Sequence, residues 1–164
     1  RHEELVEQYQ IDDFHSPFVF YEPGFNLRST DLNAFIGIEQ VRKLDWMTGR
    51  RQANHERYLQ QLGGRFYTQR PPRDSKVASI SFGLLADSPD QRKRIVSALV
   101  TEGVETRIFS AGNLGLHPFW MNRYGKTSFP VADRVHHCGF FLPNHASMTE
   151  EDVLHISRLV MEAA

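Results

Sequence analysis

The chain has 164 residues, of which 40% are hydrophobic and 24% charged, and a formal net charge of -1. That length suits one domain or slightly more with a real core. No basic stripe points to nucleic acid, and no apolar run approaches the roughly 20 residues that cross a bilayer. The single cysteine, Cys138, excludes an internal disulfide. With no signal-peptide pattern at the start, it points to a reducing cytoplasm. The first residue is Arg1 rather than Met, so a fragment or a processed product is the expectation.

Residues 1–12 carry Leu5, Val6 and Tyr9 at helical spacing and predict a short helix. A loop follows, then an aromatic run from Phe18 to Tyr21 that reads as a strand or extended arm. Pro23-Gly24 turns the chain. From Asp31 to about Leu62 the pattern is helical, with Ser29 or Thr30 as cap and an apolar face at Leu32, Phe35, Ile36, Ile38, Val41 and Leu44. That face is expected to pack. Thr48-Gly49 is a place to kink or split the helix, and Gly63-Gly64 ends it.

Residues 65–75 read as a loop and Val77–Leu85 as a strand. Ser88-Pro89 opens a helix that Gly103 closes, and Val104–Phe109 is a second strand. Residues 110–128 are irregular, and a stretch of that length is functional or disordered; its aromatic and His residues argue for function. Phe129-Pro130 begins a short helix through His137, Phe140–Leu142 is a short strand, and Thr149 to Asp152 resembles a capping box for a last helix. Periodicity alone leaves α/β and α+β both open.

The eight histidines are too scattered for a metal set, and His136 and His137 read as helix surface or satisfied core groups. Cys138 has no base placed by the sequence to make it a nucleophile. Asn26 and Arg28 stand just ahead of a helix N-terminus, a favourable place for an anion. The plainer readings are a turn asparagine bonding its own backbone and an Arg28–Asp31 ion pair. His117, before Pro118 in the irregular loop, and Arg107, near the end of a strand, form a second candidate pair suited to phosphate or sugar hydroxyls. A structural ion pair and a packed histidine are the alternatives.

The run Gly24-Phe-Asn-Leu-Arg-Ser-Thr-Asp-Leu-Asn-Ala-Phe-Ile-Gly-Ile-Glu-Gln-Val-Arg-Lys-Leu-Asp45 resembles the G-[YF]-N-x-[RK]-x-[ST]-[DE]-x-x-A-x-x-G-x-x-Q-x-x-K-L-D signature of the DegT/DnrJ/EryC1/StrS family. These are pyridoxal-phosphate-dependent sugar aminotransferases and related dehydratases. Gly103-Val104 with Thr106-Arg107 is similar to a further family segment, and Phe129-Pro-Val-Ala-Asp133 and Leu142-Pro-Asn-His-Ala-Ser-Met-Thr-Glu-Glu-Asp-Val153 resemble its closing motifs. Ala111-Gly-Asn-Leu114 with Pro118 is similar to the loop of the branch that holds 4-keto-6-deoxyhexose 3-dehydratases and close aminotransferase relatives; His117 stands where that branch carries a basic residue. The resemblance covers roughly residues 18–160.

The resemblance implies an α+β fold, the small C-terminal domain of a type I pyridoxal-phosphate enzyme, with a short antiparallel sheet flanked by helices and preceded by an arm. Residues 1–29 would be a connecting helix and arm from a large cofactor domain, and 30–164 the small domain. It implies pyridoxal 5'-phosphate as cofactor, with Asn26 and Arg28 reaching the cofactor phosphate across a homodimer built on the arm and long helix. Arg107 and His117 would border a nucleotide-sugar site, with glutamate as amino donor, in cell-surface polysaccharide or secondary-metabolite synthesis. None of Lys43, Lys76 or Lys126 matches the Schiff-base lysine, so the chain alone is expected to be inactive. Amino transfer, 3-dehydration and a non-catalytic dimerisation or binding module all remain open.

Overall fold

The computed structural model describes residues 2–12, 25, 27 and 29–164. The expected arm at Phe18–Tyr21, and Asn26 and Arg28, lie outside the described residues. The chain divides into two compact units, 1–39 and 40–164. In the first, α1 spans His2–Gln8. The long helix α2, Asp31–Leu62, starts there and ends in the second unit. The Thr30 hydroxyl caps it by accepting from the Asn33 N–H at 3.2 Å.

Helix α2 runs unbroken through Thr48-Gly49, against the expected split. At 32 residues it is about 48 Å long. Its two halves differ sharply. Tyr58 and Leu62 are fully buried. The expected packing face at Leu32, Phe35, Ile36, Ile38, Val41 and Leu44 is instead 53–70% exposed. At 3.6 residues per turn these six positions are spread around the helix rather than along one stripe, so they do not define a single face to pack on the core.

In the second unit four strands form one sheet in the order β1-β2-β4-β3, every neighbouring pair antiparallel. They are β1 (Tyr67–Thr68), β2 (Ser81–Leu85), β3 (Arg107–Ile108) and β4 (Gly139–Pro143). The α+β expectation holds, but β2 and β3 are shorter than read, while β4 extends one residue beyond the expected Phe140–Leu142 at each end. Before β2, the Ser79 hydroxyl accepts from the Ser81 N–H at 3.3 Å and donates to the Ser81 carbonyl at 2.7 Å. That local bonding competes with a ladder, so the strand begins at Ser81 rather than Val77. Strand β1 carries no alternation long enough to read.

Side chains alternate across the sheet. Phe82 and Leu84 of β2 and Phe140 and Leu142 of β4 point into the core. There they meet Tyr58 and Leu62, Ile95 and Leu99 of α3 (Pro89–Thr101), and Val153 and Val160 of α6 (Glu150–Glu162). Tyr58 stacks on Phe82 with ring centroids 4.9 Å apart. Both expected caps form: Ser88 accepts from Gln91 N–H, and Thr149 and Asp152 make a reciprocal capping box. Gly103, at φ +74°, ends α3. The stretch read as irregular contains a 3-10 turn at Leu114–Leu116 and the helix α4, Pro118–Tyr124. Pro118 pre-sets the first helical turn, and Gly125 at φ +78° stops it. Helix α5 spans Pro130–Cys138. Among the described residues no helix is long and apolar enough to cross a membrane.

Candidate functional site

The loop from Ala111 to Ser128 is held by one buried side chain, Asn113, which is 1% exposed. Its carbonyl oxygen accepts from Gly115 N–H at 2.8 Å. Its amide donates to the Thr127 carbonyl at 3.3 Å and to the Asp133 carboxylate. Its backbone N–H donates to His136 Nδ1 at 3.3 Å. Ser128 donates to the other oxygen of Asp133, so hydrogen bonds from Ser128 and Asn113 hold that carboxyl below its ordinary range. The Trp120 indole N–H donates to Thr127 Oγ1 at 3.0 Å. Three parts of the chain therefore meet on one amide. A lone Asn in a loop carries no signal of that, and sequence reasoning gave it no role of its own.

His117 is half-buried on this loop. Its Nε2 lies 2.9 Å from the Ala111 carbonyl, which can only accept, so Nε2 carries a proton. Its ring meets Phe119 edge-on at 6.2 Å. Arg107 sits on β3 opposite Phe141 and is exposed. It lines a cavity of about 230 Å³ with Ile80, Ser81 and Glu105, in which His117 takes no part. The described cavities thus do not bring Arg107 and His117 together. His136 accepts from Asn113 and is a satisfied group. Among the described residues no group of three or more His, Cys, Asp or Glu is placed to hold a metal ion.

The closing motif at residues 142–148 is tied to α2. Arg50 Nη2 donates to the Met148 carbonyl at 2.6 Å, and Asn54 Nδ2 to the His145 carbonyl at 3.3 Å. Tyr58 donates to the Pro143 carbonyl at 3.0 Å, and burial pushes its phenol pKa upward. Asn144, fully buried, donates to the Arg51 carbonyl at 3.1 Å and the Ser79 carbonyl at 2.9 Å. This motif therefore anchors the end of β4 to the long helix and aligns the chain that enters β2.

Beside that anchor lies a cavity of about 460 Å³. His55 of α2, 8% exposed, forms part of its lining, with its ring edge-on to Phe82 at 5.0 Å. Neither His55 ring nitrogen has a hydrogen-bond partner, nor do Asn54 Oδ1 and Asn144 Oδ1. An orphaned buried polar group costs about 1–3 kcal/mol. Burial holds the His55 pKa below its ordinary 6.5, against a smaller upward pull from Glu56, which favours the neutral ring. A second cavity, of about 480 Å³, shares Tyr67, Gln69 and Gly83 with the first and adds Phe109, Val131 and Arg134. Nothing in the sequence separates His55 from a core position.

A pyridoxal phosphate site needs an amine for the cofactor aldehyde and donors for its phosphate. The four lysines, Lys43, Lys76, Lys93 and Lys126, are all exposed, and none lines a described cavity. The described residues do not by themselves fit that group.

The model described as the DegT/DnrJ/EryC1/StrS aminotransferase family matches residues 4–161. GDP-4-keto-6-deoxy-D-mannose 3-dehydratase of Escherichia coli O55:H7 is 30% identical over 139 residues, covering 82% of this chain and 36% of that protein. GDP-perosamine synthase of Escherichia coli O157:H7 is 23% identical over 140 residues, covering 85% of this chain and 37% of the relative. Among solved structures, the E. coli GDP-4-keto-6-deoxy-D-mannose-3-dehydratase with bound hydrated PLP superposes with a TM-score of 0.70 at 24% identity, covering 92% of this chain and 40% of that one. The chain thus spans between a third and a half of the length of these proteins.

Proposed function

Because the chain belongs to the DegT/DnrJ/EryC1/StrS aminotransferase family, we propose that it supplies the C-terminal part of a pyridoxal-phosphate-dependent enzyme acting on a nucleotide-linked keto-sugar. The observation that carries this is the family match over residues 4–161, nearly the whole chain. Bound pyridoxal phosphate supplies an electron sink for chemistry next to a carbonyl or amine. In this reading the groups that hold its ring come from outside the described residues. From this chain, Asn26 and Arg28 are proposed to reach the cofactor phosphate of a partner subunit from ahead of the α2 N-terminus. Arg107 and His117 are proposed to border the sugar-nucleotide site, Arg107 as a hydrogen-bond donor and His117 as an acceptor through Nδ1, its Nε2 proton being held by the Ala111 carbonyl. The exposed apolar side chains of α2 support a homodimer, since six large ones over residues 32–44 call for a cover.

Two reactions compete. Amino transfer, with glutamate as the donor the resemblance implies, has the support of the family's description as aminotransferases. 3-Dehydration is supported by the dehydratase relative at 30% identity, against 23% for GDP-perosamine synthase. The specific resemblance at residues 111–118 is to the branch that contains both. The dehydratase reading has the stronger footing in the similarity. The test gives the full-length protein pyridoxal phosphate, glutamate and GDP-4-keto-6-deoxy-D-mannose, and identifies the sugar product by mass spectrometry. A 3-deoxy sugar means dehydration, and an amino sugar means amino transfer. An unchanged sugar across a panel of nucleotide-linked keto-sugars refutes both and leaves the non-catalytic module.

A further inference from the structure

The cavity above His55 is not used by that reading. Its back is unusually polar for a site against the core. His55 is more than nine-tenths buried and lines the space, yet neither of its ring nitrogens has a partner. Beside it Asn144 fixes the Ser79 carbonyl, and so the cavity wall, while its own Oδ1 goes unpaired. A neutral imidazole offers one donor and one acceptor. Partners for both are missing among the described residues, and the natural place for them is the adjoining space. A single water has about 30 Å³ of the liquid, so the roughly 460 Å³ here far exceeds what satisfying one ring needs.

The lining states what kind of molecule suits it. Arg70 is its only charged side chain besides the neutral His55, and no acidic residue lines it. Arg70 makes no ion pair among the described residues. Gln69, Tyr67 and Ser81 present neutral donors and acceptors, and Pro71 with Phe82 supplies apolar surface. One exposed, unpaired guanidinium, several hydroxyl and amide groups, and apolar planes match an anionic sugar: the charge on Arg70, the hydroxyls on Gln69, Ser81 and His55, and a C–H face on the apolar wall. We propose that the cavity between His55 and the 69–81 segment binds a sugar carrying one phosphate or carboxylate, with His55 as the buried hydrogen-bonding group and Arg70 as the anion contact.

The proposal does not rest on which reaction the protein performs, because its test reads binding alone. Calorimetry on the full-length protein uses three probes: ribose 5-phosphate, galacturonate and inorganic phosphate. The first two separate phosphate from carboxylate as the anion, and the third lacks the sugar body. The expected result is that at least one sugar probe binds the unmodified protein and that Arg70→Gln weakens it about tenfold or more. His55→Phe weakens the same probe while leaving inorganic phosphate unaffected. A crystal soaked in that probe shows it within hydrogen-bond reach of His55. Absence of binding by both sugar probes overturns the proposal, as does equal binding by the Arg70→Gln protein. A soaked crystal with water alone at the ring nitrogens overturns it too. The Arg70 side chain is exposed, so that variant folds even if His55→Phe does not.

Discussion

Replacing Asn113 by Ala is the most informative perturbation of the loop. The change removes the amide that donates to the Thr127 carbonyl at 3.3 Å and the oxygen that accepts from the buried Gly115 N–H at 2.8 Å. Losing the first bond costs about 1 kcal/mol, and stranding the Gly115 donor costs about 1–3 kcal/mol, so the sum is about 2–4 kcal/mol. The contact with Asp133 is left out because water screens its carboxylate. With a urea slope of about 2 kcal/mol/M for a domain of this size, the unfolding midpoint falls by about 1–2 M. Equilibrium urea unfolding followed by circular dichroism measures it. A second variant, Asn113→Asp, keeps the acceptor for Gly115 but sets a second carboxylate against Asp133. Its repulsion appears only when both are ionised, so this variant loses stability as pH rises through the carboxylate range. A midpoint for Asn113→Ala within about 0.5 kcal/mol of the unmodified protein, the range of ordinary surface changes, refutes the hub.

Thr149→Ala removes the hydroxyl half of the α6 capping box and costs about 1 kcal/mol. The Asp152 carboxyl, held low first by the Thr149 N–H and then by that hydroxyl, titrates higher in the variant, as carbon-detected NMR can follow. Gly139→Ala puts a methyl 2.5 Å from the Val135 carbonyl and 2.8 Å from Phe109 Cβ, so the α5–β4 junction must shift; thermal unfolding reports a loss of about 1–3 kcal/mol. For His55 the folded pKa is lowered, so below 6.5 the unfolded chain takes up a proton that the folded one refuses. Stability therefore falls as pH drops from 6.5. His55→Phe removes that part of the dependence in urea midpoints measured at pH 7 and pH 5; an unchanged slope shows the ring is not the cause.

Local chemistry decided what was legible in the sequence. The caps at Thr30, Ser88 and Thr149 and the stop at Gly103 each rest on contacts a few residues apart, whereas periodicity left the sheet class open and only the family resemblance implied an antiparallel α+β sheet. The order of residues also carried the family, through a run from Gly24 to Asp45 that no composition argument could supply. The apolar residues of α2 were equally legible, yet they did not say that Leu32 to Leu44 lie open while Tyr58 and Leu62 are enclosed, because their pattern is the same whether the cover is this chain or another.

The candidate sites were legible only as residue types. His117 and Arg107 read as a pair because one stands before Pro118 in the irregular loop and the other near the end of the strand that precedes it. The tertiary arrangement lines Arg107's cavity with β4 and the approach to β2, and seats His117 on the Ala111 carbonyl. Asn113 and His55 gave no sign in one dimension. Asn113 gains its role by gathering partners 2, 14 and 20 residues away around one buried amide. His55 gains its own from being sealed against Phe82 with no group to meet its nitrogens. Caps, turns and periods follow from neighbours along the chain, so the sequence by itself determines them. Which polar groups are shut away from water, and which are left unpaired there, depends on segments far apart in sequence closing over one another, and only the folded structure settles it.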